Sequence, residues 1–344
     1  MKKLIFSTLI TTTLIFAKAQ SVITIQHGST TLFATTLDSA IIKAQNGDYI
    51  YLPGGLIATS STTITINKNL KIFGAGYHPD SSSATGITQI PSNILSFASG
   101  SDNSMITGIQ LKEIYFSNAS TLTNITITRC NFQGLVQAAS NLTNILVTEN
   151  VIKGRINGAG VGGNSNILFQ KNIIYDDLLN CWNYSFTNNI FLKQDISGSF
   201  ISVCVNDIFE NNVFINPGAS FNGGSNANNT FNNNLFVIDS ATLYYTNASG
   251  INNNNLFNQN PANIFVNLIQ NSQWTSSQNF HLQPGSAGKG KGKDGTDIGI
   301  YGSAVPFKEG GIPLNPHIRN ATIAATTNAN GKLSINITVT AQNQ

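Results

Sequence analysis

Arg155, Asp176, Asp177, Lys193 and Asp195 are the residues whose types and placement suit chemistry on a polysaccharide. Each follows a recurring polar position by four to six residues, on three consecutive copies of one repeat, so the five share an outer face. β-Elimination from a uronate needs a base beside the C5 proton and a cation to neutralise the carboxylate, roles for Lys193 or Arg155. Glycoside hydrolysis instead needs two carboxyl groups about 5 Å or about 6.5–9.5 Å apart, which a pair of these aspartates would supply. The competing reading is a surface salt-bridge cluster with no catalytic part. On the next two copies the equivalent positions are Asn216 and Ile238, which add no further catalytic group.

The repeat that must position these residues begins at Asn124, Asn144, Asn166, Asn183, Asn206 and Asn228, at spacings of 20, 22, 17, 23 and 22 residues. Six positions on in each copy stand Cys130, Asn150, Asn172, Asn189, Asn212 and Asn234. An apolar residue recurs three before that column (Ile127, Val147, Phe169, Phe186, Phe209, Phe231) and another two after it (Phe132, Ile152, Ile174, Phe191, Phe214, Phe236). A period near 21 with alternation inside each copy predicts a solenoid of short strands, stacked about 4.8 Å apart. Like residues then pile into columns, and a column of buried asparagines satisfies itself by hydrogen bonding from coil to coil. Two asparagine ladders are expected, six positions apart, within ten to twelve coils.

This column pattern resembles the right-handed parallel β-helix of the pectate-lyase-like superfamily. The likeness extends to an entry segment, residues 47–55 and 69–76, and to an exit segment, residues 280–302. It implies an all-β, single-domain right-handed parallel β-helix over residues 20–305. Thr36, followed by Leu37, Ala40, Ile41 and Ala44 at helical spacing and then by Gly47, predicts a helix capping the N-terminal end. Residues 306–344 read as a Pro- and Gly-rich linker and a hairpin turning at Asn330-Gly331, closing the C-terminal end.

Residues 1–19 have the build of a signal peptide: Lys2 and Lys3, an apolar run, then Ala17-Lys18-Ala19. Secretion or display at the cell surface is the expectation, with no membrane span. Removing residues 1–19 takes away Lys2, Lys3 and Lys18, and the 18 basic residues fall to 15, equal to the 15 acidic ones. A neutral mature chain gives no footprint for nucleic acid.

Other motifs carry less. Gly158 to Gly163 has dinucleotide-loop spacing but no helix after it, and Gly285 to Lys291 has phosphate-loop spacing with Gly292 where a Ser or Thr is needed. The four histidines, His27, His78, His281 and His317, lack metal-ligand spacing. Arg129, Glu149 and Lys171 form one column, expected to be a solvent-facing ion-pair stack. Cys181 and Cys204 each precede a ladder asparagine by eight residues and should stack on adjacent coils, either bridged or as buried thiols. Ca²⁺ at Asp294 and Asp297 is a possible ligand with too few carboxylates to specify it; no other cofactor is implied. Trp182, Trp274, Tyr244 and Tyr245 are platforms on which sugar rings would stack, whereas Tyr184 falls in an inward column.

Neither the acidic calcium cluster of the lyase branch nor the Asp and His motifs of the polygalacturonase-like branch is matched residue by residue. The expectation is therefore a non-catalytic extracellular protein that binds glycan or builds a surface or matrix scaffold. The alternative is a polysaccharide lyase or glycoside hydrolase acting at Arg155, Asp176, Asp177, Lys193 and Asp195.

Overall fold

The computed structural model describes residues 22–118, 121–138, 141–193, 199–215, 221, 225–240, 249–269 and 273–340. They wind a right-handed parallel β-solenoid of about eight turns, entirely β apart from one α-helix and short 3₁₀ turns. One sheet runs in parallel from Tyr49–Tyr51 through Asn141–Thr148 to Ser249–Asn253. A second runs from Thr88–Phe97 to Leu235–Phe236. Ten to twelve coils were too many, because both ends of the expected β-helix are used otherwise. Ile23–His27 and Thr30–Ala34 form an antiparallel ribbon, and Phe265–Asn267 pairs antiparallel with Asn279–Leu282.

The columns are as the spacing demands. Ile127, Val147, Phe169, Phe186, Phe209 and Phe231 are in register on successive strands, and so are Phe132, Ile152, Ile174, Phe191, Phe214 and Phe236. Their rings stack nearly parallel, at 4.7 Å between Phe209 and Phe231 and 4.6 Å between Phe214 and Phe236. Each fully buried phenylalanine contributes about 1.5–3 kcal/mol of burial.

The inner ladder runs from Asn150 through Asn172, Asn189, Asn212 and Asn234 to Asn255, with Nδ2 to Oδ1 distances of 3.0–3.1 Å. Every rung is saturated. Asn189, for example, gives its other N–H to the Phe169 carbonyl, and its Oδ1 also accepts the backbone N–H of Asn172. Cys130 stands at the foot and donates its backbone N–H to Asn150 Oδ1.

The outer column has a different cause. Asn124, Asn144, Asn166, Asn206 and Asn228 are exposed and Asn183 half-buried, and all six hold φ of 54–63°, a left-handed conformation that asparagine tolerates better than other side chains. Their ladder is interrupted between Asn166 and Asn183, whose amide donates to the Gly162 carbonyl.

At the N-terminal end the helix Leu37–Lys43 is started by a Thr36–Ser39 capping box and buries Leu37, Ala40 and Ile41. At the other end the chain does something the repeat does not announce. Residues after the last coil return along the outside of the solenoid, from its late coils to its early ones. Asn233 Nδ2 donates to the Lys291 carbonyl, Gly299 N–H to the Asn211 carbonyl, Lys308 N–H to Glu149 Oε1, and Arg129 Nη1 to the Ile312 carbonyl. This arm covers an outward row, Val151, Ile173, Ile190, Val213 and Leu235, with Phe280, Leu282, Ile298, Ile300 and Phe307, a second hydrophobic core outside the sheets.

The arm corrects two expectations. Arg129, Glu149 and Lys171 are buried rather than solvent-facing, because residues 308–312 lie over them and Arg129 Nε bonds Glu149 Oε2 at 2.6 Å. The C-terminal hairpin does form, pairing His317–Ile323 with Ile335–Thr340 about a turn where Gly331 has φ 71°. Instead of closing the C-terminal end, it lies beside Ser83 and Ala84 of an early loop, where the arm delivers it.

Candidate functional site

Where the arm reaches the loop at Tyr77 to Ser81, a cleft of about 570 Å³ remains between them. Its floor includes Ile173 of the outward row, and its walls carry Trp274, Tyr301 and Phe307 beside His78, Glu309 and Arg319. Three parts of the chain, near residues 78, 274 and 309, are brought together only by the arm's return.

The aromatic wall is braced from behind. Trp274 is half-buried and meets Tyr77 and His78 edge-on, with ring centres 5.5 and 5.7 Å away. Gln278 Oε1 accepts from the Tyr175 hydroxyl at 2.9 Å, tying the Trp274 loop to the solenoid. The His281 ring lies flat on Tyr301 at 3.7 Å, and the Tyr301 hydroxyl donates to Glu309 Oε1 at 2.8 Å. Burial, reinforced by that bond to Glu309, holds the Tyr301 phenol protonated at any physiological pH.

His78 differs from these neighbours. Its Nδ1 is buried without a hydrogen-bond partner, the Asp80 carboxylate being 3.9 Å away. Burial pushes its pKa below the ordinary value, so the imidazole is neutral near pH 7. With Nδ1 sealed off, the part of this neutral ring that lines the cleft beside the indole is what a ligand would meet.

The residues singled out for catalysis are arranged otherwise. Arg155 grips Asp177 with two bonds, 2.5 Å from Nε and 2.8 Å from Nη2, and Lys193 lies 3.6 Å from Asp176. They do share adjacent coils, as two ion pairs, and none of these four lines the cleft. Asp195 lies outside the described residues, as do Tyr244 and Tyr245.

Among the proposed sugar platforms, Trp274 lines the cleft. Trp182 is instead half-buried over the Gly160 loop, with its Nε1 bonded to the Val203 carbonyl at 3.0 Å. Tyr184 is inward and buried. Asp297 pairs with Lys289 at 2.9 Å and Asp294 accepts from Thr296, so both carboxylates are engaged within their own turn. Cys181 and Cys204 stack on neighbouring coils as free, buried thiols.

His78, Tyr301, Glu309 and Arg319 were not picked out as a group from sequence, since more than 200 residues separate the first from the others. The one available signal was the clustering of Trp274, His281 and Tyr301 in a stretch without the repeat. The chain matches no protein-family model and no curated protein.

Proposed function

We propose that this is a secreted protein, related to the pectate-lyase-like β-helices, that binds a polysaccharide chain in the cleft beside Trp274. The observation that carries this reading is the meeting, in one cleft, of an indole held edge-on by two rings with the polar side chains of His78, Glu309 and Arg319. Sugars are recognised by just such a pairing, an apolar face for the C–H side of the ring and fixed polar groups for its hydroxyls. The signal-like residues 1–19 and the neutral, weakly charged composition of residues 20–344 support an extracellular address.

Pairing of Arg155 with Asp177 and of Lys193 with Asp176 favours binding over the lyase or hydrolase reading, because each group's charge is already answered. The test is retention of the protein on immobilised neutral and acidic polysaccharides, compared with Trp274→Ala. Retention that the variant loses supports the proposal; equal retention, or none on any polymer, rejects it. Release of reducing ends or unsaturated uronate during the same incubations would make the protein an enzyme.

A further inference from the structure

Cys181, Cys204 and Asp207 bring their sulfur and carboxylate atoms within 4.8 Å of one another inside the solenoid, all three buried. Among the described residues this is the one such group of His, Cys, Asp or Glu. Asp207 and Asn229 are the polar members of a column that is apolar on the preceding coils, at Ile145, Ile167 and Tyr184. One coil on, Asn229 accepts the Asp207 N–H on Oδ1 and donates Nδ2 to the Cys204 carbonyl. Asp207 repeats the first contact, accepting the Tyr184 N–H at 2.8 Å. By the same geometry, an asparagine at 207 would turn its amide N–H to the Cys181 carbonyl. The carboxyl has no N–H to give, and it is buried against the Cys204 thiol, its side-chain hydrogen-bond neighbour.

We infer that Cys181, Cys204 and Asp207 form a binding site for a thiophilic divalent cation, Zn²⁺ being the representative ion. Zinc bonds sulfur at about 2.3 Å and carboxylate oxygen at about 2.0–2.2 Å, so its donors stand within about 4 Å of one another, a spacing this cluster reaches with side-chain adjustment alone. As ligands the two thiols and the carboxyl release three protons to solvent, and Zn²⁺ offsets two of the three negative charges they acquire, which removes most of the cost of burying them. Carbonyl oxygens of Ile156 and Leu178, 3.9 and 3.7 Å from the two sulfurs, provide further donors. Because the site is sealed, the ion enters while the coils form and leaves only when they open.

The experiment is elemental analysis of the full chain folded in the presence of Zn²⁺, desalted, and divided between native and denaturing treatment with a chelator. The expected result is roughly one zinc per chain, kept under native treatment and lost on denaturation. Asp207→Asn copies Asn229 one coil on, whose amide satisfies itself in the same setting, and so preserves folding; it and Cys204→Ser should each lower zinc at least about tenfold, while Cys130→Ser should keep it. Folding with Co²⁺ should give a sulfur-to-cobalt charge-transfer band that Asp207→Asn weakens. A folded protein holding less than about one tenth of a zinc overturns the site. So does a single free thiol in the denatured, unreduced chain, which would mean that the two cysteines are bridged, or zinc that Asp207→Asn retains.

Discussion

Arg129 and Ile312 are joined across 183 residues by a single 2.9 Å hydrogen bond from the guanidinium to the carbonyl, while the same guanidinium holds Glu149. This contact pins the far end of the arm to an early coil. Replacing Arg129 with methionine keeps most of the volume but leaves the Glu149 carboxylate buried without its cation, a loss of about 3–5 kcal/mol. Limited proteolysis and hydrogen exchange should show residues 299–313 opening first, with the inner ladder still protected.

Gly311 tests the same docking from the other side. It holds φ 54°, and a Cβ there would lie 2.4 Å from the Tyr77 ring. Gly311→Ala should therefore lower the thermal midpoint and abolish glycan retention together, whereas Gly331→Ala in the open hairpin turn should leave retention intact.

The two asparagine columns predict unequal costs. Asn189→Ala strands the Phe169 carbonyl and the two Asn172 donors that Asn189 Oδ1 accepts inside the core, and urea unfolding should register a loss of about 3 kcal/mol or more. Asn206→Gly keeps the left-handed backbone on an exposed corner and should change stability by less than about 1 kcal/mol. Equal losses at the two sites would contradict the division into an inner structural ladder and an outer conformational one.

Glycan binding should depend on two contacts that differ in kind. Trp274→Ala removes the stacking face and is expected to weaken binding roughly tenfold, while leaving the thermal midpoint within a few degrees. His78→Phe keeps a ring against Trp274 without a polar atom, and should weaken binding while sparing the fold. The comparison is made by affinity electrophoresis in the polysaccharide that retains the wild type.

The histidine pKa shifts set a pH dependence. Burial lowers the pKa of His78 and of His317 in the folded chain, so the unfolded chain takes up more protons as the pH falls. Their contribution is complete above the ordinary histidine value near 6.5 and is lost as the pH falls through the lower folded values. Urea midpoints from pH 7.5 to pH 5 should decline less steeply in a His78→Gln, His317→Gln double variant.

The solenoid was legible because a period near 21 leaves its mark in every coil: Phe186, Phe209 and Phe231 have to coincide for the core to close. The stacking of Cys181 on Cys204 followed from the same frame. The arm was not legible, since alternation tells an outward position from an inward one but not what lies over it. Val151, Ile173, Ile190, Val213 and Leu235 follow ladder positions directly and face outward. Their shared aliphatic character was the available sign that something covers them. Arg129 and Glu149 were assigned to solvent for the same reason. The cleft depends on that unseen arm, so of its walls only Trp274 was recognised, as an isolated aromatic.

An undecorated solenoid is an open-ended series whose units can be added or removed, with stability close to a sum over neighbours. The returning arm ends that freedom here. It touches Asn233, Asn211, Asn188, Glu149 and Arg129 in turn, so its length is a ruler for the number of coils between them. Inserting or deleting one coil would leave every ladder bond capable of forming and yet shift all the arm's partners out of step. Copy number is thus fixed by a strap on the outside, and the coils it spans should melt as one cooperative block.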